Sequence, residues 1–155
     1  MEHNFFPLFI DLNEKRCLVI GAGNIACRKI KTLLKYGAKV EVITKYVAED
    51  EILGLQDVKI STRDFIEEDL KNVFLVVAAT SNSDFNKYIY EICNEKNILV
   101  NNMTSKVEMN ARFAAIYESE MVQVAVSSKG YPKKSLEIRD SIKKLLEKNK
   151  HQHET

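Results

Sequence analysis

The stretch Cys17-Leu18-Val19-Ile20-Gly21-Ala22-Gly23-Asn24-Ile25-Ala26-Cys27-Arg28-Lys29 decides how this chain of 155 residues is interpreted. A short apolar run typical of a β-strand enters a glycine turn, and a helical pattern leaves it. Gly21 suits the tight turn, Gly23 leaves room for a pyrophosphate beside the backbone, and Ala26 allows helix and strand to pack closely. Because strand, turn and helix come in the required order, the stretch predicts a dinucleotide-binding motif.

The flanking residues complete a βαβ unit of about 30 residues, as a mononucleotide-binding half requires. Residues 16–20 form the first predicted strand. Apolar residues recur with helical spacing from Asn24 to about Tyr36, and Gly37 is a good residue for ending that helix. Residues 39–43 alternate in polarity and predict a second strand.

The alternation of strands and helices continues beyond this unit. Predicted strands cover the weakly apolar residues 58–62, the continuous apolar run 73–79 and residues 98–100, and a helix is predicted over 84–95. A continuous apolar run suits a central parallel strand that is covered on both faces. The pattern therefore predicts an α/β fold, a Rossmann-like parallel sheet with helices on both faces and a ligand crevice at the carboxyl ends of its strands.

The character of the chain changes after this region. Two strands are predicted over 113–117 and 122–127, followed by a charged amphipathic helix over 134–148. Such a tail is too short for a core of its own, so an exposed hairpin and helix would most readily be buried in a homodimer. We therefore predict a dinucleotide-binding Rossmann domain over 1–112 and a small C-terminal β/α segment over 113–155, which serves dimerisation and the substrate side.

Composition narrows the classes of function. The 23 basic and 22 acidic residues nearly cancel, so no nucleic acid is expected as a partner. No apolar run approaches the roughly 20 residues that span a bilayer, and the first residues lack the basic region of a secretory signal. We expect no membrane association and a cytoplasmic location. The three cysteines show no CxxC spacing, and His3, His151 and His153 lie near the ends, so no metal site is predicted.

Residues at the predicted sheet edge are the candidates for cofactor binding. They are Gly21, Gly23, Asn24 and Ile25 at the turn, Thr44, Lys45 and Tyr46 after the second strand, and Thr80 and Asn102 after later strands. The usual ribose partner is an Asp or Glu about 20 residues after the motif. Glu41 is near that count but lies within the strand, so we expect its carboxylate to face solvent. Without an acid after the strand, Lys45 leaves NADP open as an alternative, since a lysine accepts a 2′-phosphate.

A set of further motifs extends the pattern over residues 6–139. They are Phe6-Pro7-Leu8-Phe9, the residues 19–26 with Arg28-Lys29, Leu34 with Gly37-Ala38, Ala78-Ala79-Thr80 with Asn86, Val100-Asn101, and residues 124–130 before Pro132. In this order and spacing, the chain resembles the precorrin-2 dehydrogenases, whose domain also forms the N-terminal part of bifunctional siroheme synthases. The resemblance implies that NAD accepts a hydride as precorrin-2, a tetrapyrrole, is oxidised to sirohydrochlorin in siroheme or cobalamin synthesis.

The resemblance also implies which residues serve the substrate. In the family, a carboxylate thought to be the acid–base group follows an asparagine after the strand. Here Asn101 is that asparagine, and Thr104 stands where the aspartate is expected. A threonine hydroxyl holds a hydrogen bond but is not a proton acceptor near neutral pH. Ser128 matches a serine near the tetrapyrrole site. Thr104, Asn101 and Ser128 are therefore the candidate catalytic residues.

Two further functions stay open from the sequence. Some members of the family also insert ferrous iron into sirohydrochlorin, which needs a group that removes pyrrole protons. The other alternative is a catalytically weakened module that binds NAD or a tetrapyrrole, because Thr104 replaces the expected aspartate. Glu108, Glu118 and Glu120 are the carboxylates that would stand in for it.

Overall fold

The computed structural model describes residues 4–46 and 49–153, with side chains described up to residue 150. The chain divides into two compact units, Met1–Arg112 and Phe113–Thr155. The side chains of His3, His151 and His153 lie outside the described residues. Within the described ranges, no helix is both long enough and apolar enough to cross a membrane.

The first unit is built on a five-stranded parallel sheet in the order β3-β2-β1-β4-β5. The strands are β1 (Arg16–Ile20), β2 (Lys39–Thr44), β3 (Val58–Thr62), β4 (Leu75–Ala78) and β5 (Leu99–Asn102). The chain starts at the centre, runs outward to β3, and then crosses back to β4 on the other side of β1. The point at which the order reverses lies between β1 and β4. This topology confirms the predicted Rossmann-like α/β class.

Helices pack on the two faces of this sheet. They are α1 (Asn24–Lys35), α2 (Asp50–Leu53) and α3 (Ser83–Glu95), with a 3₁₀ turn over Glu67–Leu70. α1 packs against β1 and β2, whereas α3 packs against β4 and β5. Because successive strand residues point to opposite faces, Leu18 and Ile20 share one buried core with Ile89 and Cys93 of α3. Each fully buried aliphatic side chain contributes about 1.5–3 kcal/mol.

β5 ends with Asn101 and Asn102, where the sequence predicts the end of this strand, and these residues continue the parallel ladder opposite Val77 and Ala78. One element of the first unit is absent from the sequence-based prediction. α2 is not predicted at all, since a helix of four residues leaves no periodic pattern to detect.

The second unit is a hairpin followed by a long helix. β6 (Ala115–Glu118) and β7 (Gln123–Val126) pair antiparallel, and α4 (Pro132–His153) packs on both strands. Pro132 begins the helix, where its missing N–H would have had no helical partner. The backbone N–H of Ser128 donates to the hydroxyl of the buried Ser135 at 2.9 Å, which ties the loop after β7 to the first turn of α4. The helix is longer than predicted at both ends.

Candidate functional site

A cleft of about 820 Å³ opens at the carboxyl ends of the central strands of the first unit. Its wall combines the end of β1, the start of α1, the end of β2 and the loop after β4. The connections leave β1 and β4 in opposite directions, and in open α/β sheets this switch point is where ligands bind. The volume lies within the range of cofactor and small-molecule sites.

Gly21 makes the turn from β1 into the cleft. Its φ is +108°, in the left-handed region that favours glycine. Its N–H donates to the Ile43 carbonyl at 2.9 Å, which continues the strand ladder into the turn. A Cβ atom on Gly21 would lie 2.3 Å from the carbonyl oxygen of Ala79. Only glycine therefore lets the turn pass this close to the end of β4.

Gly23 precedes α1 and leaves the start of the helix uncapped. It is the N-cap residue, and no side chain supplies a capping hydrogen bond. The first N–H groups of a helix have no partner within it, and at α1 they include those of Asn24 and Ile25, which line the cleft. By contrast, the start of α3 is capped by Asn82, whose side-chain oxygen accepts from the Phe85 N–H at 3.0 Å.

The glycine turn therefore fits a dinucleotide pyrophosphate. An ideal Cβ atom on Gly23 would have no other atom within 4 Å, so the backbone faces open space there. A phosphate in that space would accept from the uncapped N–H groups of α1 and would meet the positive end of the helix dipole. These are the requirements that the sequence motif predicts.

The end of β2 also contributes to the cleft. Thr44, Lys45 and Tyr46 all line it. The Thr44 hydroxyl is buried and donates to the Tyr46 carbonyl at 2.8 Å, so it stabilises the turn that follows the strand. The side chains of Lys45 and Tyr46 are exposed to the cleft.

Glu41, which the sequence predicts to face solvent, does so only in part. Its side chain is about 28% exposed, and its carboxylate accepts two hydrogen bonds of 3.0 Å from the Arg16 guanidinium. The hydrogen bond from Arg16 lowers the pKa of Glu41 below its usual value. Because Arg16 opens β1, the pair lies toward the amino end of the sheet, away from the cleft. Glu41 therefore forms an ion pair that links β1 and β2.

Four charged side chains line the cleft, namely Lys45, Glu49, Arg63 and Asp64. The Lys45 ammonium lies 3.6 Å from the Asp64 carboxylate. Arg63 donates two hydrogen bonds, of 2.9 and 2.7 Å, to the carboxylate of Asp69. This bonding holds the pKa of Asp69 below its usual range. Among the described residues, each cation of the cleft wall is thus paired with a carboxylate, and the four wall charges sum to zero.

The sequence-based prediction misses Arg63, Asp64 and Phe65, which follow β3 and line the same cleft. A signal for them exists in the sequence, because parallel strands end at one edge of a sheet and β3 ends at Thr62. Because β3 is only weakly apolar, the sequence pattern does not mark its end as part of the site. Phe65 packs edge-on against Phe85 of α3, with ring centroids 6.2 Å apart.

A chain of hydrogen bonds leads from the cleft to Thr104. Thr80 lines the cleft, and its N–H and hydroxyl both donate to the side-chain oxygen of Asn86, at 3.2 and 2.6 Å. The Asn86 amide donates to the Thr80 carbonyl at 2.9 Å and to the Thr104 hydroxyl at 3.1 Å. Thr104 in turn donates to the Asn102 side-chain oxygen from both its N–H and its hydroxyl, at 2.9 Å each. We call these four residues the polar network.

Asn86 is a functional candidate that the sequence-based prediction does not single out as a site residue. It is fully buried on the core side of α3, one turn before Ile89. An amide at a core position of an amphipathic helix is the signal that points to it, because a buried polar group needs hydrogen-bond partners. Its two donors and its acceptor oxygen are all used within the polar network.

The remaining predicted residues do not meet at the cleft. Asn102 is buried and Thr104 is exposed, and neither belongs to the cleft wall, although Met103 between them does. The Asn101 amide donates to a backbone carbonyl at 3.0 Å. Ser128 belongs to the second unit, where its hydroxyl oxygen is buried without a hydrogen-bond partner among the described residues. The cofactor candidates other than Asn102 therefore share one cleft, whereas Asn101 and Thr104 of the same unit are not part of its wall.

The thiols are structural. Cys17, Cys27 and Cys93 are buried, and burial raises the pKa of Cys17 to about 11 and that of Cys93 to about 12. Thiols of this kind stay protonated near neutral pH and are poor nucleophiles. In the described ranges, no group of three or more His, Cys, Asp or Glu side chains is arranged to hold a metal ion.

Comparison with known proteins places this site in a family. Residues 8–115 match the model of a family described as "Putative NAD(P)-binding". A siroheme synthase of Buchnera aphidicola subsp. Acyrthosiphon pisum (strain APS) is 39% identical over 146 residues, which cover 92% of this chain and 31% of the relative. A siroheme synthase of Mannheimia succiniciproducens is 34% identical over 152 residues, with the same coverage of both chains. The chain thus spans about a third of the length of these curated relatives.

A solved structure covers most of both chains. The precorrin-2 dehydrogenase SirC superposes with a TM-score of 0.72 at 31% sequence identity, and the match covers 94% of this chain and 71% of SirC. Because the matching family is described as NAD(P)-binding, the cofactor class is a nicotinamide dinucleotide. Sequence motifs, sheet topology, glycine turn and these similarities agree, and the chain belongs to the precorrin-2 dehydrogenase family.

Proposed function

We propose that the chain is an NAD-dependent dehydrogenase that oxidises precorrin-2 to sirohydrochlorin in siroheme biosynthesis. The observation that carries the proposal is the uncapped start of α1 beside Gly21 and Gly23, in a chain of the precorrin-2 dehydrogenase family. A turn of this kind gives a dinucleotide a fixed position at the switch point of the sheet. The siroheme synthases among its relatives favour siroheme over cobalamin as the product of the pathway.

In this proposal, the two ends of the cleft hold the two halves of the dinucleotide. The N–H groups at the start of α1 bind the pyrophosphate, Thr44 to Tyr46 hold the adenosine, and Thr80 borders the nicotinamide half. When bound, NAD supplies the hydride acceptor. The chain contributes binding and orientation, since reactive groups held in the right geometry gain much of their rate from positioning.

NAD rather than NADP is the cofactor that we propose. Both cations of the cleft wall are engaged with carboxylates, Lys45 with Asp64 and Arg63 with Asp69. A 2′-phosphate would therefore meet no net positive charge on the described part of the wall. The neutral 2′-hydroxyl of NAD needs no positive charge for binding.

Thr104 acts as a positioning residue in this proposal. Its hydroxyl accepts from Asn86 and donates to Asn102, so its hydrogen bonds are spent within the polar network. A neutral hydroxyl does not take a proton near neutral pH. The proton that precorrin-2 loses together with the hydride therefore passes to water.

The proposed function is tested by a direct assay. Purified protein mixed with precorrin-2 and NAD should generate NADH and the absorbance spectrum of sirohydrochlorin, and a parallel reaction with NADP should be slower. Turnover no faster than the reaction without enzyme rejects the proposal. Ferrous iron added to sirohydrochlorin in a second reaction tests the ferrochelatase alternative, for which loss of the free sirohydrochlorin spectrum above the uncatalysed rate is the positive result.

Thr104→Asp is expected to raise kcat for precorrin-2 oxidation by about tenfold or more, since a positioned general base typically contributes 10²–10⁴-fold. The Asn86 amide would donate to the new carboxylate. The side-chain nitrogen of Asn102, which has no described hydrogen-bond partner, would become a second donor if that amide rotates. Steady-state rates with precorrin-2 and saturating NAD give the result.

Thr104→Asn is the matched control, because it has the same size as aspartate but accepts no proton. It should not share the gain in kcat, and NAD affinity should stay similar in both variants. Equal rates for the two variants would contradict the assignment of Thr104 to the acid–base position.

A module that binds without turnover is the second candidate function. The observation that favours it is the Thr104 hydroxyl, which is fully engaged by Asn86 and Asn102. NAD or tetrapyrrole binding by calorimetry, combined with no turnover in the assay above, would support it. Gain of activity in Thr104→Asp would then mark the chain as a weakened enzyme.

We also propose that the protein is cytoplasmic and works as a homodimer, with the second unit as the dimerisation segment. The support is the set of large apolar side chains exposed on its hairpin and helix, Met121, Val122, Tyr131, Leu136, Ile138 and Leu145. Apolar side chains in such number commonly mark a contact surface. Light scattering of the purified protein should give twice the 17.8 kDa mass of the chain.

A further inference from the structure

The ion pair between Lys45 and Asp64 joins the loops that follow two neighbouring strands. Lys45 directly follows β2, and Asp64 is the second residue after β3. β2 and β3 are paired up to Thr44 and Thr62, so their loops leave the sheet side by side. Both side chains line the cleft, and their charged atoms lie 3.6 Å apart.

Because of the position of Lys45, this ion pair bears on whether the cleft binds NAD or NADP. In dinucleotide-binding folds, an acidic residue that follows the second strand binds the ribose 2′-OH of NAD, whereas a nearby cation accommodates the 2′-phosphate of NADP. The last residue of β2 is Thr44, whose hydroxyl is bonded to the next turn. Lys45 thus stands where a cation would favour NADP, but Asp64 engages its ammonium.

We propose that Asp64 makes this chain select NAD over NADP, because its carboxylate engages the Lys45 ammonium that a 2′-phosphate would otherwise bind. The inference rests on the proposed function, because it requires a nicotinamide dinucleotide in the cleft. A phosphate monoester carries about −1.5 to −2 charges at neutral pH, and the neutral Lys45–Asp64 pair offers it no net attraction. Arg63 does not compensate, since its guanidinium donates hydrogen bonds of 2.9 and 2.7 Å to the Asp69 carboxylate and one of 3.0 Å to the Asp64 carbonyl.

The Lys45–Asp64 ion pair contributes little to the stability of the fold, so its effect is expected on ligand selectivity. Both side chains are largely exposed, at 66% and 77%. Exposed ion pairs contribute little to folding, typically about 0–1 kcal/mol. Replacing Asp64 should therefore leave the fold intact and change only the charges that a ligand meets.

Calorimetric titration of the full chain with NAD and with NADP tests the inference. Wild type should bind NAD more tightly than NADP. Asp64→Asn should tighten NADP binding by roughly tenfold and change NAD binding by less than about threefold, since it removes a charge but keeps the size of the side chain. The double variant Lys45→Met/Asp64→Asn should lose the gain for NADP, because Lys45 is the group that Asp64→Asn releases. The increase in NADP affinity of Asp64→Asn should also become smaller at high salt, which screens exposed charges.

Two further variants test whether removal of any negative charge has the same effect as removal of the Asp64 charge. Glu49→Gln removes a charge elsewhere on the same cleft wall and should change the two affinities by a similar factor. Asp57→Asn, at the other end of β3, should change neither affinity. An unchanged ratio of affinities in Asp64→Asn would overturn the inference, as would an equal shift of that ratio in Glu49→Gln. A wild-type chain that binds neither dinucleotide would instead reject the proposed function.

Discussion

Gly21→Ala is expected to destabilise the first unit by ~3–5 kcal/mol, a large share of the ~5–15 kcal/mol that holds a typical domain together. The new Cβ atom would lie 2.3 Å from the Ala79 carbonyl oxygen, far inside contact distance, and the residue would have to keep a φ of +108°. The obstacle is backbone, so no side-chain rotation relieves it. Chemical denaturation followed by circular dichroism measures the loss.

Gly23→Ala is the matched control for that prediction, two residues along the same turn. Its Cβ atom would have no neighbour within 4 Å, and its φ of −88° suits alanine, so stability should change by less than about 1 kcal/mol. The methyl group would, however, occupy the space that a pyrophosphate needs, and NAD affinity should fall by more than about tenfold. Equal stability losses in the two variants would contradict the assigned roles, as would unchanged NAD binding by Gly23→Ala.

Asn86→Leu is the second variant with a large expected effect, a loss of ~3 kcal/mol in the free energy of unfolding. The leucine has a similar volume but no polar atoms. It would strip hydrogen bonds from the part-buried Thr80 N–H and Thr80 carbonyl, and each such group left unsatisfied costs about 1–3 kcal/mol. The exposed Thr104 hydroxyl would exchange its Asn86 partner for water. Because Thr80 lines the cleft, NAD affinity should fall as well. Denaturation curves and calorimetry measure the two effects.

Asn94→Leu makes the same chemical change on the exposed side of the same helix. The Asn94 side-chain oxygen accepts one exposed hydrogen bond of 3.4 Å from the Asn110 amide, so this variant should alter the free energy of unfolding by no more than about 1 kcal/mol. If Asn86→Leu were as stable as Asn94→Leu, the polar network would have no energetic role. If Asn86→Leu proved too unstable to titrate, Thr104→Val, which removes only one end of the network, would report the same coupling with a smaller loss.

The glycine turn could be predicted from sequence because its determinants are local. Gly21 and Gly23 need only the backbone geometry of a few neighbouring residues, and the strand and helix beside them follow from short periodic patterns. The order of the parallel strands follows from the same repeated alternation. This part of the cleft depends on residues close together in the chain.

The polar network and the charge pairs could not be predicted because they join distant residues. Asn86 meets Thr104 across 18 positions, and Arg16 meets Glu41 across 25. No periodic pattern encodes such a contact; it follows from how α3, β4 and β5 pack. The Lys45–Asp64 pair depends in the same way on β2 and β3 being neighbours in the sheet.

The missing cap of α1 makes a bound ligand part of the fold. Without a ligand, the first turn of this helix has N–H groups that no side chain satisfies, and a phosphate at that position completes the helix as a capping residue would. Binding to the folded chain alone adds RT ln(1 + [L]/Kd) to its stability, about 2.7 kcal/mol at a ligand concentration of 100 Kd. If the dinucleotide binds as proposed, we expect the thermal unfolding temperature of the chain to rise with the concentration of free NAD.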